Sequence, residues 1–248
     1  GGYGDVVDGP GALADPGRAL LDGKAMVDLV GQDDDGHGVA RPAHSADKEF
    51  HSFDVDGAPI TFLVLDTNHH VGGGEGVITQ RDVDKYITPV LDDALARKRY
   101  VVLASHHAVS SLSSDGGIFG VAEPDALSSS AWLAYLASYP NVIASMVGHA
   151  HRHRVRVQHT GAADFWEVMT SALADWPHEF RVVEIWDDDN GTLRIHSEVV
   201  DYASDDDPVA ALGRHLGLVD FLSGWQGNDG RGEPSDRNVD LILPKPAL

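Results

Sequence analysis

Apolar and polar positions follow two regimes along the chain. Between residues 59 and 147, strand-length apolar runs alternate with stretches whose apolar positions recur at i, i+3 and i+4. Ile60–Leu65, Tyr100–Ala104 and Asn141–Val147 are the apolar runs, the pattern of strands buried on both faces. After the first, the glycines Gly72-Gly73-Gly74 and Gly76 mark a loop. Thr79 then caps a helix predicted to run to about Lys98, with Val83, Ile87, Val90, Leu91, Ala94 and Leu95 on one face. Pro89 falls inside that helix and should kink it. Pro124 opens a second helix predicted to end near Tyr139. This strand–helix–strand–helix–strand order predicts a layered α/β architecture.

Downstream the pattern shortens. His153–His159, Phe165–Met169, Phe180–Trp186 and Thr192–Val200 read as short strands joined by tight turns such as Asp189-Asn190-Gly191. They predict an antiparallel sheet added to the α/β part. Pro208 to about Phe221 reads as a last helix, and Gly224–Leu248 as an irregular extension. Before residue 45 one short helical patch fits, opened by Asp15-Pro16 and carrying Ala19, Leu20, Met26, Val27 and Val30. The organisation is therefore a Gly/Asp-rich lead-in over 1–45, a main unit over 46–205, and a helix with its extension over 206–248.

Charge narrows the functional classes. Lys and Arg total 18 against 39 Asp and Glu, a formal net charge of −21. Such a surface repels phosphate backbones and anionic lipid, which excludes nucleic-acid binding by basic patches and argues against peripheral membrane attachment. The acid excess is mostly aspartate, 31 against 8 glutamates, a composition compatible with solubility at high salt or with lineage bias alone. The longest apolar stretches, such as Pro59–Leu65, fall far below a membrane span of roughly 20 residues. No charged-then-apolar leader opens the chain, so no signal peptide is visible in it and its compartment stays open. With no cysteine, disulfides, thiolate metal ligands and a thiol nucleophile are excluded.

Candidate chemistry lies directly after two of the apolar strands. Ser105-His106-His107 follows the second, and Gly148-His149-Ala150-His151 follows the third. Ligands bind at the carboxyl ends of strands in open α/β sheets, so both clusters are expected to face one crevice. Neutral imidazoles suit zinc, iron, manganese or nickel, and a backbone bend, eased by Gly148, would turn His149 and His151 to one site. His69-His70 are candidates to line the same crevice. His153 continues the spacing but enters the next strand, which favours a structural role. The remaining histidines read as solvated or hydrogen-bonded side chains.

A strand ending in Ser-His-His and a later one ending in Gly-His-x-His resemble the last two metal-binding motifs of the calcineurin-like metallophosphoesterases. Leu65-Asp66-Thr67, Gln80 and the long helix resemble the stretch before the histidine pair in that superfamily. Ala14-Asp15-Pro16 to Leu21, Gly36-His37-Gly38, Asp175-Trp176-Pro177 and Asp236-Arg237-Asn238-Val239 resemble one bacterial, often exported branch. The resemblance implies a layered calcineurin-like α/β sandwich that hydrolyses phosphomonoesters or phosphodiesters. The resemblance further implies two ions of iron, manganese or zinc that activate a hydroxide for in-line attack on phosphorus. It implies His106 and His149 on one ion and His151 on the other. His107 would contact the substrate phosphate or hold a ligand. No catalytic acid or base is assigned.

The superfamily's first three motifs are absent. Asp35-Gly36-His37 has the letters of Asp-x-His but no apolar strand before it, and Gly227-Asn228-Asp229 departs from Gly-Asn-His. On the resemblance the chain reads as the C-terminal half of such an enzyme, supplying its histidine ligands and needing the N-terminal half of the same domain as partner. Without that half, the strands at 60–65, 100–104 and 142–147 are expected to leave an edge or face uncovered. Two alternatives remain open: a single zinc-like ion on His106, His149 and His151, or a non-catalytic remnant binding metal, phosphate or a partner.

Overall fold

The computed structural model describes residues 21–31, 48–69, 73–113, 121–224 and 229–248. Asp15-Pro16, Asp35-Gly36-His37, His44, His70 and Gly227-Asn228 lie outside them. The elements in chain order are α1 (Gly23–Val30), β1 (His51–Asp54), β2 (Ile60–Leu65), α2 (Gln80–Asp82), α3 (Thr88–Ala96), β3 (Tyr100–Ser105), α4 (Ser129–Leu136), β4 (Val142–Val147), β5 (Arg154–His159), β6 (Asp164–Met169), β7 (Glu179–Asp187), β8 (Thr192–Asp201), α5 (Pro208–Ser223) and β9 (Val239–Pro244).

Six strands form one sheet in the order β1-β2-β3-β4-β6-β5, and three form a second in the order β7-β8-β9. In the first sheet β2, β3, β4 and β6 run parallel, with β1 and β5 antiparallel at the two edges. Leu63, Leu65, Val101 and Leu103 pack on one face against Ile87, Leu91 and Ala94, and against Trp132 and Leu136 of α4. Tyr100, Val102, Ile143 and Val168 pack on the other face against Leu193, Ile195, Leu241 and Leu243 of the second sheet. The architecture is therefore a mixed α/β sandwich of helices, a six-stranded sheet and a three-stranded sheet. The predicted strands are where the apolar runs put them. The expected uncovered edge or face is corrected: β2, β3 and β4 each have a strand on both sides and a layer on both faces.

The long predicted helix is interrupted as its proline requires. Thr79 and Asp82 form a reciprocal capping box around the first turn. Val83–Ile87 then widens into a π-helical turn, closed by the Thr88 N–H donating to the Val83 carbonyl. Pro89 has no N–H to offer, and its ring would crowd the carbonyl four residues back; a widened turn relieves that clash. The second helix starts later than Pro124 suggests, because Ser128 supplies the cap by accepting from the Ala131 N–H. Of the N-terminal patch, Gly23–Val30 forms α1, capped by Asp22, and residues 15–20 lie outside the described residues.

The irregular extension expected over Gly224–Leu248 is also corrected, since Val239–Pro244 pairs with β8 along six register positions. The segment before it is pinned by a buried polar network. Arg237 grips both Glu179 oxygens at 2.9 and 2.8 Å. Arg181 donates to the carbonyls of Asp236 and Arg237 and, at 3.0 Å, to His153 Nδ1. Because an arginine only donates, His153 Nδ1 must accept, so the proton sits on Nε2 and goes to Glu179 at 3.1 Å. Burial, then the Arg181 charge, push the His153 pKa down to about 4, which keeps this fully buried ring neutral. His153 thus ties the first sheet to the C-terminal segment.

Leu241 and Leu243 are each about 5% exposed and close the core between the sheets. Leu241→Ala and Leu243→Ala are each expected to lower unfolding stability by about 2–5 kcal/mol. Urea denaturation followed by circular dichroism would show it; an unchanged midpoint would place these residues outside the core.

Candidate metal centre

The parallel strands release the chain at one edge, and three of those exits meet. Thr67 follows β2, His106 and His107 follow β3, and His149 follows β4. The Gly148 N–H donates to the His106 carbonyl at 3.0 Å, joining the β3 and β4 exits directly. Thr67 Oγ1 lies 2.8 Å from His107 Nδ1, joining β2 to the same point. The Val109 N–H donates at 2.8 Å to Glu167 Oε2, a carboxylate on β6 that is 1% exposed. Four strands therefore fix the short loop carrying His106 and His107.

His106, His107 and His149 form a group whose candidate ligand atoms all lie within 4.8 Å of one another. His106 Nε2 and His149 Nδ1 are 3.2 Å apart. Nitrogens sharing one tetrahedral ion at roughly 2.0–2.1 Å are separated by about 3.3–3.4 Å, so this pair has the bite of a metal site. With one nitrogen protonated, the same contact is an N–H···N hydrogen bond. The His107 Nδ1–Thr67 contact leaves Nε2 to face the group, the usual division of labour in a ligating histidine.

Electrostatics favour the ligating form. Burial, followed by neighbouring His149 and His106, pushes the His107 pKa down to about 4. Burial and then His149 and His151 lower that of His106. Both rings are neutral near pH 7, with lone pairs available to a cation.

The backbone around His149 is strained in a way that aims its ring. His149 has φ +72° and His151 φ +50°, both in the left-handed region. The Ala150 N–H donates to the Gly148 carbonyl at 2.9 Å, closing a γ-turn centred on His149. Such a turn is rare in L-residues, and left-handed conformations cost on the order of 1–2 kcal/mol each. The bend expected at Gly148 thus falls on the histidines themselves. A Cβ at Gly148 would meet nothing nearer than 3.8 Å.

The other expected residues separate. His151 does not join the group; its Nδ1 pairs with Asp175 Oδ2 at 2.7 Å. His69 is buried against Glu123 at 3.2 Å, apart from the three histidines. The sequence places Gly76 only in a loop, and Thr67 and Asp175 only in stretches of family resemblance; it gives none of them, nor Glu167, a role at the site. Gly76 lies in the glycine loop, and a Cβ there would fall 2.6 Å from His107 Cβ and 2.8 Å from its Cγ. That clash was unreadable until the loop and the β3 exit were in contact.

No family model matches the chain. No curated protein matches it either. Among solved structures, a dimetal phosphatase from Danio rerio aligns with a TM-score of 0.47 and 12% sequence identity, covering 73% of this chain and 71% of that one.

Two glycine substitutions separate sterics from sequence pattern. Gly76→Ala is expected to displace His107 and weaken zinc binding about 10- to 100-fold. Gly148→Ala, inside the more conspicuous motif, is expected to change stability by no more than about 0.5 kcal/mol. Zinc calorimetry and thermal melts on both variants check this; equal effects of the two would refute the packing argument.

Proposed function

We propose that this protein hydrolyses small-molecule phosphate esters with a metal ion held by His106, His107 and His149. The observation that carries the reading is the convergence of three imidazoles from adjacent strand ends, one pair already at ligand spacing. The Ser-His-His and Gly-His-x-His motifs supply the reaction class by resemblance. A divalent ion held there supplies Lewis acidity toward a phosphoryl oxygen and lowers the pKa of water.

The chain's own residues position and exchange protons. Thr67 holds the His107 ring by its Nδ1, and the γ-turn aims His149. His151 is oriented by Asp175 through Nδ1 and half-exposed, which leaves its other nitrogen to hold or hand over a proton. The two-ion arrangement implied by the resemblance would instead use that other nitrogen of His151 as a ligand, with Asp175 still holding Nδ1. A second ion close to the first also demands bridging carboxylates, and the described group consists of histidines.

Metal analysis of the purified chain, with bis-p-nitrophenyl phosphate hydrolysis on the same sample, tests the proposal. About one zinc or manganese per chain is expected, with turnover lost on chelation and in His149→Ala. Two ions per chain would favour the two-ion arrangement. Turnover unaffected by chelator and by His149→Ala would overturn the metal reading.

A further inference from the structure

Three of the 13 arginines of this strongly acidic chain stand at 152, 154 and 156, immediately after the histidine loop. Arg154 and Arg156 lie on one face of β5, the edge strand that runs away from that loop. With Arg152 they line a cleft of about 420 Å³ between β5 and the loop over residues 229–236. Burial and then the neighbouring Arg156 charge lower the Arg154 pKa, so these cations crowd one another.

The acids that share the cleft are already engaged. Asp229 takes the Arg231 guanidinium at 2.6 Å. Asp236 accepts the Val155 and Glu233 N–H groups, and Glu233 accepts from the Asp236 backbone in the same capping box. Glu167, which does not line the cleft, pairs with Arg154 from behind at 3.4 Å and also holds the Val109 N–H. Arg152 Nε is buried and has no hydrogen-bond partner among the described residues. Positive charge on an edge strand commonly guards against pairing with another sheet. Here Asp236 and the Gly230 carbonyl already occupy the Val155 and His153 N–H groups, so the end of the edge nearest the histidine loop is covered without the arginines.

We propose that this cleft is an oxyanion site that takes a phosphate-type group through Arg152, Arg154 and Arg156. The group is either the second phosphoryl group of a substrate held at the histidines or free inorganic phosphate. Guanidinium groups suit this role because their planar donor pairs match phosphate oxygens. Use of the cleft as a substrate subsite rests on the phosphoester reading above; anion binding by it does not.

The test is calorimetric titration of inorganic phosphate, and separately pyrophosphate, into the chelator-treated full chain. Arg152→Gln and Arg156→Gln are each expected to weaken binding about tenfold, and Arg156→Lys, which keeps the charge but not the planar donor pair, to recover only part of it. Arg156 is exposed, so its substitution keeps the test valid if the Arg152 variant fails to fold. His149→Ala is expected to leave phosphate binding intact. Tighter binding of pyrophosphate supports the site as a substrate subsite, and equal affinities support it as a free-phosphate site. Undiminished binding in both Gln variants, loss of binding in His149→Ala, or no binding to about 10 mM would overturn the proposal. Arginine-dependent phosphate binding in a chain that takes up no metal would sink the metal reading and leave this one standing.

Discussion

Four parallel strands buried on both faces must release the chain at the same edge, and the candidate site depends on that constraint. β2, β3, β4 and β6 are locked in register by their ladders, so the residues just past them cannot drift apart. Backbone groups freed at the strand ends are satisfied across the exits, as when the Gly148 N–H meets the His106 carbonyl. The histidines therefore inherit their proximity from the sheet rather than from one another. Three rings brought together this way lose little further freedom on taking an ion.

Buried charge is used to hold the surrounding frame. Glu167 is almost wholly enclosed, yet it accepts the Val109 N–H and pairs with Arg154, so it spans from the β3 exit to the edge strand. Glu179, His153, Arg181 and Arg237 do the same on the other side, fastening the C-terminal segment to the first sheet. Burying such groups is costly unless each finds its partners, and removing one partner leaves another charge stranded. These networks make the positions of the 229–236 loop and of β9 interdependent with the histidine loop.

The two conspicuous motifs contributed unequally to the group. His106 and His149 were legible because each follows a recognisable apolar strand. The third member is His107, not His151, and spacing could not decide between them. A histidine two residues along turns toward or away from its neighbour according to local φ, and both His149 and His151 take left-handed values that no propensity predicts. Asp175 then draws His151 aside from 24 positions away in the chain. Thr67 draws His107 in from 40 positions away.

Periodicity was enough to establish the layered α/β class, β2 to its end residues, and β3 and β4 to within a residue or two, because these elements are specified by their own apolar pattern. The negative charge and missing cysteines likewise bounded the chemistry without any coordinates. Tertiary structure alone decided that the apparently irregular tail contains β9, that Gly76 rather than Gly148 must be small, and that Arg152, Arg154 and Arg156 share a cleft with the 229–236 loop. Each of those depends on contacts between segments distant in the chain. A Cβ clash across two loops and a cleft between an edge strand and its cover leave no period in the local sequence to read, and the six residues of β9 are too short a run to assign without the strand they pair with.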